Sequence, residues 1–198
     1  MLLLVVACAG PASASATSFH FESSPTWLKG EQASTNVFGF SGGKIKATMA
    51  TFRSGEILGT SAGAVTVHPE YGGISAFGLE ALVSTAGCNY VLEPSSVSAG
   101  DLGIVCEEGH EIGFTVPKAR CSIHIPPQIP GTPTVKFAGS GSGATRNLLL
   151  TFEVGGLTYT ATGSVCGESG SNGTLTGSAT IKGFGTSSFT SQHGIWIE

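Results

Sequence analysis

Charge is scarce in this chain of 198 residues: 11% are Asp, Glu, Lys or Arg, and the net charge is −4. The nine Lys and Arg form no cluster, so electrostatic capture of nucleic acid is excluded. Aspartate occurs once, as Asp101. No segment beyond the N-terminus approaches the roughly 20 apolar residues of a spanning helix. Helical periodicity is missing as well. No stretch holds apolar residues at helical spacing for about ten positions, so no helix is predicted.

What the chain has is glycine, 30 of them, with frequent Ser and Thr. That mixture suits short strands joined by tight turns. Period-two alternation recurs along the sequence. In 174–182, Leu175, Gly177, Ala179 and Ile181 share one face, opposite Thr174, Thr176, Ser178, Thr180 and Lys182. In 148–154, Leu148, Leu150, Phe152 and Val154 alternate against Leu149, Thr151 and Glu153. The same pattern marks Phe19/Phe21, Ile45/Ala47/Met49, Val65/Val67, Ile112/Phe114/Val116, Cys121/Ile123/Ile125 and Val135/Phe137. Turn signals sit between them at Ser41-Gly42-Gly43, Tyr71-Gly72-Gly73, Gly139 to Gly143, Gly155-Gly156 and Gly167 to Gly173. About a dozen strands follow, which predicts an all-β fold: a mainly antiparallel β-sandwich, or paired β-lobes.

The first residues, MLLLVVACAGPASASA, read as a signal peptide over 1–16. An apolar run, Leu2 to Ala9, leads to an Ala14-Ser15-Ala16 cleavage site and leaves 17–198 as a single secreted β domain. No Lys or Arg precedes the run, so the basic start of such a signal is missing. Val5-Val6-Ala7-Cys8 offers an alternative, a lipobox in which Cys8 is acylated and the protein is lipid-anchored at the cell surface. Within the domain, IPPQIPGTP from Ile125 to Pro133 cannot donate to a strand ladder along its length. It reads as a crossover between possible halves 17–125 and 134–198. A weak echo of AGCNYVL (86–92) in GGLTYTA (155–161) joins the two.

Removing 1–16 leaves four cysteines, an even set that suits a disulfide framework outside the cytosol. Cys88 and Cys106 flank a hairpin whose register also pairs Tyr90 with Ile104 and Leu92 with Leu102, putting all six on one face. Directly opposed cysteines can bridge. Cys88–Cys106 then leaves Cys121–Cys166, which would tie the halves together. A metal site is not expected, because Cys121 and His124 point to opposite faces of a strand. No cofactor is expected either.

Four stretches, GEQASTNVF (30–38), AFGLEALVSTAGCNYVLEP (76–94), NGTLTGSATIKG (172–183) and GIWIE (194–198), together resemble a family of uncharacterised secreted, β-rich proteins with many paralogues in soil actinobacteria. The resemblance covers nearly the whole of 17–198. It implies one more cysteine pair, at the places where Ala47 and Ile74 stand here. It implies no substrate and no catalytic residues.

Candidate chemistry is thin. Gly59-Thr60-Ser61-Ala62-Gly63 matches the nucleophile-elbow pattern, yet the residues that follow continue as a strand. His68, His110, His124 and His193 show no triad order around Ser61, and His20 alternates with Phe19 and Phe21 as an exposed strand position. The glutamates are scattered, and Glu107 and Glu108 diverge on a strand, so no pair is set up for glycoside hydrolysis. Trp27, in a Pro-Thr-Trp-Leu turn, and Trp196, opposite Ile195 and Ile197, are weak candidates for stacking on sugar rings. The expected function is a secreted, non-catalytic extracellular or cell-envelope module that binds or supports. Its partner is unknown, with a cell-wall or extracellular polymer the one suggested. A serine hydrolase using Ser61 and a carbohydrate-binding module are the alternatives.

Overall fold

The computed structural model describes residues 17–130 and 134–198; residues 1–16, which hold the expected signal peptide and the lipidation candidate Cys8, and residues 131–133 lie outside them. Sixteen strands run through the described residues. They are β1 (Phe19–Phe21), β2 (Trp27–Phe40), β3 (Gly43–Arg53), β4 (Ser61–Ala62), β5 (Val65–Ala76), β6 (Leu79–Glu80), β7 (Leu82–Ser84) and β8 (Cys88–Ser96). β9 (Ala99–Cys106), β10 (Ile112–Val116), β11 (Cys121–Ile125), β12 (Val135–Ser140), β13 (Asn147–Thr162), β14 (Gly170–Phe184), β15 (Gln192–His193) and β16 (Ile195–Ile197) complete the set. The fold is all-β and antiparallel, as the alternation implied, and helix is confined to two single 3₁₀ turns.

The ladders close. β2, β3, β5, β8, β9, β12, β13 and β14 each pair with the next, and β14 returns to pair with β2. Eight strands therefore form a barrel-like ring whose two faces join at both edges. β13 outruns the ring: its end, Thr160 to Thr162, pairs with β11, which leads to β10 and β7 as a flap. Phe114 of that flap packs on Phe38 of β2 at 4.7 Å. The two possible halves of the chain share this one ring as consecutive arcs, β2, β3, β5, β8 and β9 from the first and β12, β13 and β14 from the second, joined where β9 pairs with β12 and β14 with β2.

Alternation decides what fills it. Phe52 sits at the centre, 5.9 Å from Phe152, 6.2 Å from Tyr71 and 6.4 Å from Tyr90. The gap between Phe38, Phe114 and Leu157 is about 10 Å³, on the order of one water. Small barrels are filled by side chains in this way, and at this point the interior leaves no room for a ligand. Filling also demands glycine at one close approach, where a β-carbon on Gly30 would run into Ile181 and Phe52. Outward positions carry Thr174, Thr176, Lys29, Glu31, Lys46 and Glu153, the reverse of a lipid-facing barrel.

Two expectations need correction. Met49 does not share the inner face with Ile45 and Ala47; it is 62% exposed, and Ala50 turns inward instead. The inward phase slips by one residue where β3 passes Gly72 and Gly73 of β5, and Gly73 there has φ +59°. The proline segment also joins a ladder at one point. Gln128 N–H donates to Ile104 at 2.9 Å, and Ile104 N–H donates back at 2.8 Å.

Both disulfides are as expected. Cys88 and Cys106 are direct cross-strand partners, with Tyr90 opposite Ile104 and Leu92 opposite Leu102. Cys121, at the start of β11, reaches Cys166 in the connection between β13 and β14, with Cα atoms 5.4 Å apart. Loop-closure entropy ranks the two: separations of 18 and 45 residues correspond to about 3 and about 4 kcal/mol. Replacing Cys121 and Cys166 by serine should lower urea stability more than replacing Cys88 and Cys106. Equal or inverted losses would show that native-state packing, and not chain entropy, sets their contributions.

Candidate functional site

A separate three-stranded sheet, in the order β16–β1–β4, covers one side of the core. Its inner face is Phe19, Phe21 and Ile195, all buried, with Phe19 meeting Phe137 of β12 edge-on at 5.8 Å. Period two then turns the polar residues outward. His20 stands directly across from Trp196 on one side and from Ser61 on the other. Ser18 and Glu198 extend the same row, their backbones exchanging hydrogen bonds of 2.8 and 3.1 Å.

These side chains are connected. Ser18 Oγ and His20 Nε2 are 2.9 Å apart. On the other side of the ring, His20 Nδ1 lies 3.5 Å from Glu198 Oε1. Glu198 uses its second oxygen, Oε2, to accept from Trp196 Nε1–H at 3.2 Å. His20 stacks on Trp196 with centroids 5.7 Å apart, and the Arg146 guanidinium lies over the indole at 4.8 Å. Trp196 is therefore held by a stack, a cation and a carboxylate. Beside it opens a polar cleft of about 390 Å³, lined by Ser140, Arg146, Asn147, Trp196 and Glu198. Arg146 has no carboxylate within ion-pair distance among the described residues, and its guanidinium lines the cleft from its place over the indole.

A scan of protein-family models, a search of curated proteins and a search of solved structures each return no match.

The residues singled out in the sequence fall unevenly. Trp196 lines the cleft; Trp27 does not, lying half-buried at the start of β2 opposite Phe184. Ser61 is exposed on the two-residue strand β4 and is followed by strand β5, not by a helix. His20 faces it across the ladder but bonds Ser18, and no histidine hydrogen-bonds Ser61 among the described residues. Ser18, Glu198 and Arg146 escaped the sequence analysis. The available signal was Ser18-Phe19-His20 on one end and Trp196-Ile197-Glu198 on the other, two alternating ends that mean nothing until they pair.

Elsewhere, titratable groups serve structure. The Lys29 ammonium, by hydrogen bond and charge, holds the Glu31 carboxyl below the usual carboxylate range at a separation of 2.8 Å. His124 Nδ1 lies 2.7 Å from Glu111 on the flap. Inside the ring, Tyr71 and Tyr90 share a hydroxyl hydrogen bond of 2.8 Å. Burial pushes both phenols well above their ordinary value, with the neighbouring phenol adding to the shift at Tyr71.

That pair ties stability to pH. Below about pH 10 both states keep the phenolic protons and stability is full; above it the unfolded chain loses them first, so stability falls as pH rises. Tyr71→Phe should cost about 1–3 kcal/mol at neutral pH by leaving the Tyr90 hydroxyl without its partner. Tyr71→Phe with Tyr90→Phe should recover much of that loss and flatten the alkaline decline. Chemical denaturation at pH 7 and above pH 10 measures both effects.

Proposed function

We propose that the protein is a secreted module of the cell exterior or envelope, and that it binds an extracellular polymer through the cleft beside Trp196. Two disulfides fit a fold made for an oxidising compartment. No helix among the described residues is long and apolar enough to cross a membrane. The observation that carries the proposal is the contrast between the two sides of the wall. The inward face is a buried apolar core, while one outer face holds an oriented tryptophan beside an open polar cleft. A tryptophan fixed at its N–H, with His20 and Arg146 against its ring, gives the cleft a rigid amphipathic border on which a polymer can rest. Arg146, which lines the cleft with no carboxylate partner among the described residues, adds a preference for polymers bearing carboxylate or phosphate.

We also propose kinship with the secreted actinobacterial family, supported by one geometric fact. Ala47 and Ile74, where the resemblance implies a further cysteine pair, are buried cross-strand partners of β3 and β5. Ala47→Cys with Ile74→Cys should form a third bridge on air oxidation, detected by peptide mapping. Two free thiols would remove this support.

Retention on insoluble cell-wall polysaccharide tests the binding proposal. Trp196→Ala should reduce retention about tenfold or more, the loss of a well-placed aromatic anchor being worth about 2 kcal/mol or above. Trp27→Ala should leave it unchanged. Full retention by Trp196→Ala would overturn the proposal.

A further inference from the structure

Binding asks nothing reactive of this face, yet the row beside the cleft has the connectivity of an activated hydroxyl. We infer that Ser18 is a nucleophile for acyl transfer, with His20 as its general base and Glu198 as the residue that positions that base. The assignment rests on which atoms meet. His20 turns Nε2 to the Ser18 hydroxyl at 2.9 Å and Nδ1 towards the Glu198 carboxylate at 3.5 Å. A carboxylate at Nδ1 favours the tautomer with its proton there, which leaves Nε2 free to accept the serine proton. The triad is recognised by these roles and not by chain order. Here its members are held by neighbouring rungs of one ladder, Ser18 against Glu198 and His20 against Trp196.

The fold contains its own comparison. Ser23 Oγ also bonds a histidine, His193, but through Nδ1. The carboxylate closest in sequence, Glu22, is used instead to accept from Gly194 N–H at 2.9 Å. Ser61 lacks a bonded histidine altogether. Of these three serines, only Ser18 has both a base and a residue that orients it.

The substrate class is a carboxylic ester presented from the cleft that Glu198 and Trp196 border. Ser18 Oγ forms a bond to the carbonyl carbon while its proton passes to His20 Nε2. The tetrahedral adduct collapses, the alkoxide leaves, and that alcohol takes the proton from His20. Water then repeats the sequence on the acyl-serine, releasing the acid and restoring Ser18.

A fluorophosphonate probe tests the assignment on the full mature chain, since Ser18 Oγ would displace fluoride from phosphorus and retain the phosphonyl group. Peptide mapping should find the label on Ser18, and Ser18→Ala should abolish it. His20→Gln should slow labelling at saturating probe by about 100-fold or more. Glu198→Gln should slow it about tenfold or more without altering the half-saturating probe concentration or the Tm, which separates positioning of the base from a structural role. Ser23→Ala and Ser61→Ala should label like the parent. An unlabelled Ser18, label on Ser23 or Ser61 instead, or a Ser18 rate indifferent to Glu198→Gln would each overturn the inference. Polymer retention is read separately on Trp196→Ala, so failure of binding and failure of reactivity are distinguishable.

Discussion

The pairing of β14 with both β13 and β2 is the constraint on which the rest depends. A sheet this long and this glycine-rich would otherwise present two open edges of unpaired backbone N–H and C=O groups. Inserting the last long strand beside the first long one satisfies both edges at once. Closure then fixes which side of every strand is inside, and that side must be filled to native density. The aromatic cluster around Phe52, the glycine at Gly30 and the neutral Tyr71–Tyr90 pair all follow from that close packing.

The two disulfides act at different levels of this arrangement. Cys88–Cys106 clasps a hairpin whose strands already pair, so it reinforces local order. Cys121–Cys166 joins the flap to the connection between β13 and β14, the two strands that close the ring. The flap pairs with β13 over three residues only, Thr160 to Thr162. A covalent link there compensates for a short ladder, which is where a small barrel most needs one.

The sequence made local pairing legible and left closure hidden. The hairpin from Cys88 to Cys106 could be registered residue by residue, because cysteines, tyrosine and leucines fall in phase across one turn. β2 with β14 could not, since period two tells which residues face inward and not which strand lies alongside. Met49 shows a second limit. Alternation extrapolated from Ile45 and Ala47 fails where the strand changes phase against two glycines, an event set by the neighbour. Trp196 was legible as an outward residue, but Ser18, His20 and Glu198 belong to opposite ends of the chain. Their meeting depends on closure.

The polar row inherits its geometry from the apolar residues beneath it. β1 and β16 are three residues each, too short to hold register by backbone pairing alone. What pins them is the inner face, Phe19 and Phe21 with Ile195, pressed on Phe137 and its surroundings. Each of those side chains contributes on the order of 2 kcal/mol of burial, more than the outward hydrogen bonds add net. Because side chains alternate, fixing Phe19 and Phe21 also fixes His20 between them, and fixing Ile195 places Trp196. The separations at His20 are therefore set by packing, and the outward groups are free to present polar chemistry without having to hold the strands together.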